Sequence, residues 1–298
     1  MRIKFCYFLQ IAALALLLAC NPTSSTNQSN IQNSDSTKNA DLSNPANWHL
    51  AILAYTFREG TFFEAVDKAK ELGIDEIGIF PGQQIGNGLD GKMDFNMDQA
   101  TQLKVNELLK EKQVKLADIG VISPTSNADW EKLFQFAKSM EIPLIVSEPE
   151  PKFMDQMEDL CEKYQIKLAI HNHAKPSMYW NPDSLMSQLA DKSPLIGVCA
   201  DVGHWLRSGL DPLESLKKVE SRLMALHFKD VSMESAEGLD VVWGSGNIPT
   251  LDLMQLLKEN NFSGVLSIEY EGDLKENPAA LKQIMEIYKN QLEQINLQ

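Results

Sequence analysis

The stretch Ile196-Gly197-Val198-Cys199-Ala200-Asp201-Val202-Gly203-His204-Trp205 decides how this chain is read. It opens as a short apolar run of strand type. It ends in a carboxylate, and three residues further on stands a histidine. A buried strand that delivers an Asp at its C-terminal end is how a metal or catalytic residue is presented at the mouth of a parallel barrel. A plainer reading is open at this point, in which Asp201 only caps the helix that follows.

The flanking sequence repeats the same unit. Strand-like runs at 49–57, 75–80, 114–121, 142–147, 166–170, 194–201, 223–228 and 264–268 alternate with amphipathic, helix-like stretches. The last of these carries Leu281, Ile284, Met285, Tyr288, Leu292 and Ile295 at helical spacing. Eight strands alternating with eight helices predict an α/β fold, a single-domain (β/α)8 TIM barrel. A doubly wound open sheet would need a glycine-rich switch-point fingerprint, which the sequence lacks.

Polar residues then fall where a barrel would use them. Four of the five histidines, His171, His173, His204 and His227, lie at or just after the ends of strands 5, 6 and 7. Glu148, Asp201 and Glu269 end strands 4, 6 and 8, and in a barrel these ends share one face. Strand alternation predicts that Asp201 points inward with Cys199 and Gly197, while Ile196 and Val198 face the helices. Glu269 inward likewise leaves Leu266 and Ile268 outward. Carboxylates with one imidazole suit Mn²⁺, Mg²⁺, Co²⁺ or Zn²⁺ without selecting among them; Mn²⁺ or Mg²⁺ is the expected ion, with Co²⁺ or Zn²⁺ as alternatives. Taken singly, Glu269 could be a solvated strand end, Lys229-Asp230 a surface ion pair, and Trp205 and Trp243 core or lid aromatics.

Composition limits the partners. The chain has 298 residues, 44% of them hydrophobic, and a formal net charge of -14. So acidic a surface repels nucleic acid and anionic membranes. At the N-terminus, Arg2 and Lys4 precede an apolar run, 5–18, too short to span a bilayer as a mature helix. The run ends in Leu17-Leu18-Ala19-Cys20, which resembles the lipobox of bacterial lipoproteins. That resemblance implies a signal peptide over 1–19, cleavage before Cys20 and lipidation of its thiol. Residues 20–46 read as a flexible polar tether, and 47–298 as the barrel domain. The implied location is the bacterial cell envelope, outside the cytoplasm, with membrane contact only through the lipid anchor. Cys161 and Cys199 are expected as buried free thiols.

With these residues assembled, the barrel resembles the xylose isomerase-like superfamily, in particular its sugar phosphate isomerase/epimerase members. The resemblance runs over roughly 49–295. It rests on 168–173 (LAIHNH), 199–205 (CADVGHW), 226–230 (LHFKD), 244–247 (GSGN) and 267–271 (SIEYE). It implies a divalent metal held by Asp201, His227, Glu269 and one more carboxylate. Many members place that carboxylate at the end of strand 5, where this chain has His171. Glu148 is therefore taken as the fourth ligand, with His171 as its competitor.

The implied activity is a sugar isomerase or epimerase that acts through an enediolate on a keto-sugar or related small carbohydrate. A lyase or dehydratase acting on a keto-glycoside by β-elimination at the same site is the alternative. A non-catalytic sugar-binding lipoprotein is a further one. Glu269 or Glu148 would act as base, with His171 or His173 as proton shuttle. His204, Lys229, Asp230, Trp243, Asn247 and Glu271 are expected at the substrate. The altered strand 5 position weakens transfer of a mechanism in which two opposed glutamates exchange a proton with substrate. An unphosphorylated substrate is expected, since no basic cluster suited to phosphate is visible. Repair of abasic DNA, another activity of the superfamily, is disfavoured by the acidic charge and the export signal. The sequence leaves a homo-oligomer open.

Overall fold

A computed structural model describes residues 46–297. The expected signal peptide, the Cys20 lipidation site and nearly all of the tether lie outside the described residues. Eight parallel strands close into a barrel. They are β1 (His49–Leu53), β2 (Glu76–Ile79), β3 (Lys115–Ile119), β4 (Leu144–Ser147), β5 (Lys167–His171), β6 (Ile196–Asp201), β7 (Leu223–Phe228) and β8 (Val265–Ile268). Each pairs with its sequence neighbours, and β1 closes the ring against β8. The helices are α1 (Phe62–Glu71), α2 (Gln99–Lys112), α3 (Asn127–Ser139), α4 (Met154–Tyr164), α5 (Pro182–Leu189), α6 (Val202–Arg207), α7 (Pro212–Val219), α8 (Thr250–Glu259) and α9 (Ala280–Asn296).

Strand parity sorts the side chains as expected. Ile196, Val198, Leu226, Leu266 and Ile268 face outward into the layer they share with the helices. Burying each such side chain is worth roughly 1.5–3 kcal/mol, so this outer layer dominates the stability of the fold. Inside the barrel, Ala51, Ala117, Leu144, Val146, Ala169, Cys199, Ala225 and Val265 make a separate, smaller apolar cluster. Two residues further along the same inward parity come Glu148, His171, Asp201 and His227, and Glu269 comes four beyond Val265. The apolar cluster is thus the floor beneath a polar upper layer. Cys161 and Cys199 are both buried free thiols.

Four local features depart from the expected pattern. The strand expected over 49–57 stops at Leu53, and Ala54–Phe57 form a 3₁₀ turn over the rim. The Thr56 hydroxyl there accepts a hydrogen bond from the Tyr270 N–H (3.1 Å), tying the turn to the end of β8. The loop 82–94 holds a small antiparallel hairpin, Gln84–Gly86 with Leu89–Lys92. A second one, Asp230–Val231 with Asp240–Val241, follows β7. The β2–β3 register also slips between Ile77 and Gly78, so Ala117 has no partner in that ladder. Such a bulge lets two successive residues point the same way. It accounts for Ala117 and Asp118 both lying inside the barrel.

Candidate metal and catalytic site

Asp201 proves to be both a cap and a candidate ligand. Its Oδ1 accepts the backbone N–H of His204 (2.7 Å) and so caps α6. Its Oδ2 remains, fully buried and without a hydrogen bond. Around Oδ2 stand Lys229 Nζ at 3.1 Å, His171 Nε2 at 3.6 Å and His204 Nε2 at 3.8 Å. Asn172 fixes the strand end: its amide donates to the Asp201 carbonyl (3.0 Å) and its carbonyl accepts the Asp201 N–H (2.9 Å).

The register aligns the remaining groups. Asp201 pairs with His227 across β6–β7, and His227 with Ser267 across β7–β8. Glu269 lies just past β8, its N–H bonded to the Phe228 carbonyl (3.1 Å). Asp201, His227 and Glu269 bring one ligand atom each within 4.8 Å of one another, all three buried. His227 Nε2 is buried without a hydrogen bond, and Asp201 Oδ2 and Glu269 Oε2 have only the Lys229 ammonium, at 3.1 and 2.9 Å and without good hydrogen-bond geometry, against them. Buried polar atoms left this way are costly unless a further group satisfies them. Two carboxylate oxygens and an imidazole therefore fit a divalent cation.

Glu148 joins a different group. With His171 and His173 it forms a second convergent set, and His171 also belongs to a third with Asp201 and His204. Glu148 Oε1 accepts from the His173 N–H (2.7 Å) and lies 2.6 Å from His173 Nδ1 and 3.1 Å from His171 Nδ1. Its Oε2 accepts from the Ser177 hydroxyl (2.9 Å). The residue nearest the Asp201 side of β5 is thus His171, and Glu148 stands behind it.

The local field separates the protonation states. Burial opposes the charge on Glu148, but His171 and His173 outweigh it and hold the carboxyl well below its ordinary value. Burial likewise opposes the His171 cation, yet Asp201 and Glu148 lift it to about 9. Burial drives His204 down to about 3 against the pull of Asp201. Glu269 is raised to about 7 by burial and by repulsion from Asp201 and Glu271, with Lys229 opposing. A carboxyl poised near neutrality is suited to general base catalysis. His171, held protonated, is suited to act as an acid.

The expected substrate residues divide. His204 lines the site beside Asp201, and Lys229, buried between Asp201 and Glu269, pairs with the partly exposed Glu271 at the edge (2.8 Å). Three others belong to the framework. Asp230 is buried and accepts the N–H groups of Val231 (2.8 Å), Gly244 (2.8 Å), Gly246 (2.9 Å) and Ile248 (2.9 Å), so it holds the 244–248 loop. Trp243 is buried, its ring packed edge-on against Phe228 at 4.8 Å. Its outward neighbour is Tyr288 of α9. Asn247 spends its amide on the Ser232 carbonyl (2.6 Å). Replacing Asp230 by alanine strands several donors, at about 1–3 kcal/mol for an unsatisfied buried group. The expected result is a loss of about 3 kcal/mol in urea unfolding and faster amide exchange across 242–248. Wild-type stability in that variant would contradict the assigned role.

Sequence reasoning passed over Asn172, Ser177, Asp118, and the Arg207–Asp240 ion pair that carries Glu271. Asp240 bonds Arg207 with one oxygen and the Glu271 N–H (2.9 Å) with the other. Asn172, framed by two site histidines, could have been found in the sequence. The others carry no local signal, because long-range contacts alone place them.

Residues 66–291 match the family described as Xylose isomerase-like TIM barrel. The chain belongs to that family. Among curated proteins it is 30% identical to an inosose dehydratase of Clostridium perfringens over 137 residues, 40% of this chain and 46% of that protein. The chain thus spans about half the length of the curated relatives it matches. Among solved structures, an uncharacterized protein of Parabacteroides distasonis is 31% identical with a TM-score of 0.66, over 81% of this chain and 100% of that one. A xylose isomerase-like barrel of Mycobacterium smegmatis, in complex with magnesium, shares the fold at 15% identity and a TM-score of 0.63, over 83% and 97%.

Proposed function

We propose that the protein is a divalent-metal-dependent enzyme that removes a proton beside the carbonyl of a small keto-sugar or keto-cyclitol, with expulsion of a β-hydroxyl as the favoured outcome. Asp201, His227 and Glu269 would hold the metal, while His171, backed by Glu148, would stay protonated beside it and not ligate. A cation there would act as a Lewis acid on the substrate carbonyl and acidify the neighbouring C–H. The likeness to an inosose dehydratase and a magnesium-containing structure of the same fold support this reading.

One observation carries the choice of outcome. An epimerase that works by two opposed bases needs a carboxylate on each side of the substrate. Here β5 ends in His171, with Glu148 behind it at 3.1 Å from Nδ1, and Glu269 is the carboxylate beyond β8. One base and one acid suit elimination: Glu269 accepts the proton from carbon while His171 gives one to the departing hydroxyl. His204, neutral and beside Asp201, would hold a substrate hydroxyl.

The test is proton NMR in D₂O with keto-sugars, inososes and sugar phosphates, each with Mn²⁺ or Mg²⁺ and after chelation. Loss of the carbinol proton signal at the β-carbon as its hydroxyl leaves as water, abolished by chelation and restored by metal, is expected. Deuterium entering at the α-carbon with no loss of water would instead establish isomerase or epimerase chemistry. Tight sugar binding with neither would establish a binding protein.

A further inference from the structure

Lys229 stands where a cation belongs. Its side chain is 1% exposed. Its Nζ lies 3.1 Å from Asp201 Oδ2 and 2.9 Å from Glu269 Oε2, the two carboxylate oxygens left for a metal, and 2.8 Å from Glu271 Oε1. A divalent ion bound to those two oxygens at ordinary ligand distances would sit within about 5 Å of this ammonium. Three positive charges in so small a buried volume repel strongly. The lysine and the metal therefore compete for the same pair of anions.

The fold holds the lysine in place along its stem and leaves its tip a second partner. Gly203 in α6 lies flat against the stem: a Cβ there would stand 2.6 Å from Cδ and 2.7 Å from Cγ of Lys229. Close approach of a side chain to the helix backbone is what requires glycine at this position. The outer end of the site is different. The Glu271 side chain is 30% exposed, and its carboxylate belongs to none of the convergent metal-ligating groups among the described residues. Its backbone is anchored by Asp240 through the N–H and by Arg58 through the carbonyl (2.9 Å).

We propose that Lys229 is an internal stand-in for the metal: its ammonium neutralises Asp201 and Glu269 in the metal-free protein, and withdraws onto Glu271 when a divalent ion binds. Lys229 and Glu271 together then set the metal affinity without being ligands. The proposal rests on the metal-dependent reading above.

The test is direct titration of chelator-treated protein with Mn²⁺ and with Zn²⁺ by calorimetry, for wild type, Lys229→Met, Glu271→Gln and the double variant. Lys229→Met is expected to tighten binding by about tenfold or more, because the competing charge is gone. Glu271→Gln is expected to weaken it several-fold, because the ammonium loses its place of retreat. The double variant should match Lys229→Met, since Glu271 acts only through the lysine. Glu271 is partly exposed, so its variant tests the idea even if Lys229→Met fails to fold. Equal, measurable affinities in all four proteins would overturn the competition and leave the metal-dependent function standing. Absence of binding in all four would remove both.

Discussion

Replacing Asp201 by asparagine will lower turnover by about a hundred- to a thousandfold, the scale seen when one preorganised stabilising group is removed from an active site. The asparagine oxygen can still accept the His204 N–H, so the α6 cap survives. What disappears is the charge at Oδ2, towards which His171, Lys229 and His204 are directed. Burial works against the Asp201 carboxylate, but the cations ranged against it, Lys229 and His171 among them, hold it well below its ordinary range. Breaking a buried ion pair on one side costs about 3–5 kcal/mol. Lys229 keeps Glu269 and Glu271, so the lower end applies. Asp201→Ala should lose about 1 kcal/mol more, the worth of the cap. Turnover, bound metal per chain and urea unfolding of the two variants separate these effects. An asparagine variant with near-normal turnover would remove Asp201 from the site chemistry.

Stability will fall as pH rises from about 4 to about 7, and Asp118→Asn will remove the Asp118 share of that fall and leave the share of Glu269. Asp118 is fully buried inside the barrel, and neither carboxyl oxygen has a hydrogen bond. Burial first, then the charges of Glu269 and Glu76, raise it from 3.8 to about 7. The folded chain thus keeps a proton that the unfolded chain has released. The contribution to stability is full below the unfolded value, declines through the window and is lost above the folded one. Three units correspond to roughly 4 kcal/mol as an upper bound. The amide carries no charge to desolvate, so the variant should be about 1–3 kcal/mol more stable than wild type at pH 8. The two proteins should converge near pH 4. The check is urea unfolding at intervals between pH 4 and 8. A wild-type profile that rises over this window by more than its other groups explain, unchanged by the substitution, would refute the assignment.

Much of the site was legible because strand parity is rigid. Once Asp201 is taken as inward, Cys199 must be, and the apolar residues between them must face the helices. The same parity on β7 puts His227 and Lys229 together, and on β8 it puts Glu269 and Glu271 together. Asp118 was illegible for the opposite reason. A bulge breaks the alternation, and nothing around Ala117 announces it. Asp230 and Trp243 misled because both are residue types that serve at sites as readily as in frameworks. Asp230 is committed to four backbone N–H groups of a neighbouring loop, and Trp243 lies on the helix side of the wall.

By itself the sequence determined the barrel, its strand order and the face on which the polar residues gather. These follow from hydrophobic periodicity and short connections, which are local properties. The tertiary structure alone decided how that face is divided. It set Glu148 behind His171, gave the two oxygens of Asp201 separate duties and seated the Lys229 ammonium among three carboxylates. Those outcomes depend on the stagger of neighbouring strands and on side-chain reach across the barrel, and neither is written in any single stretch of the chain.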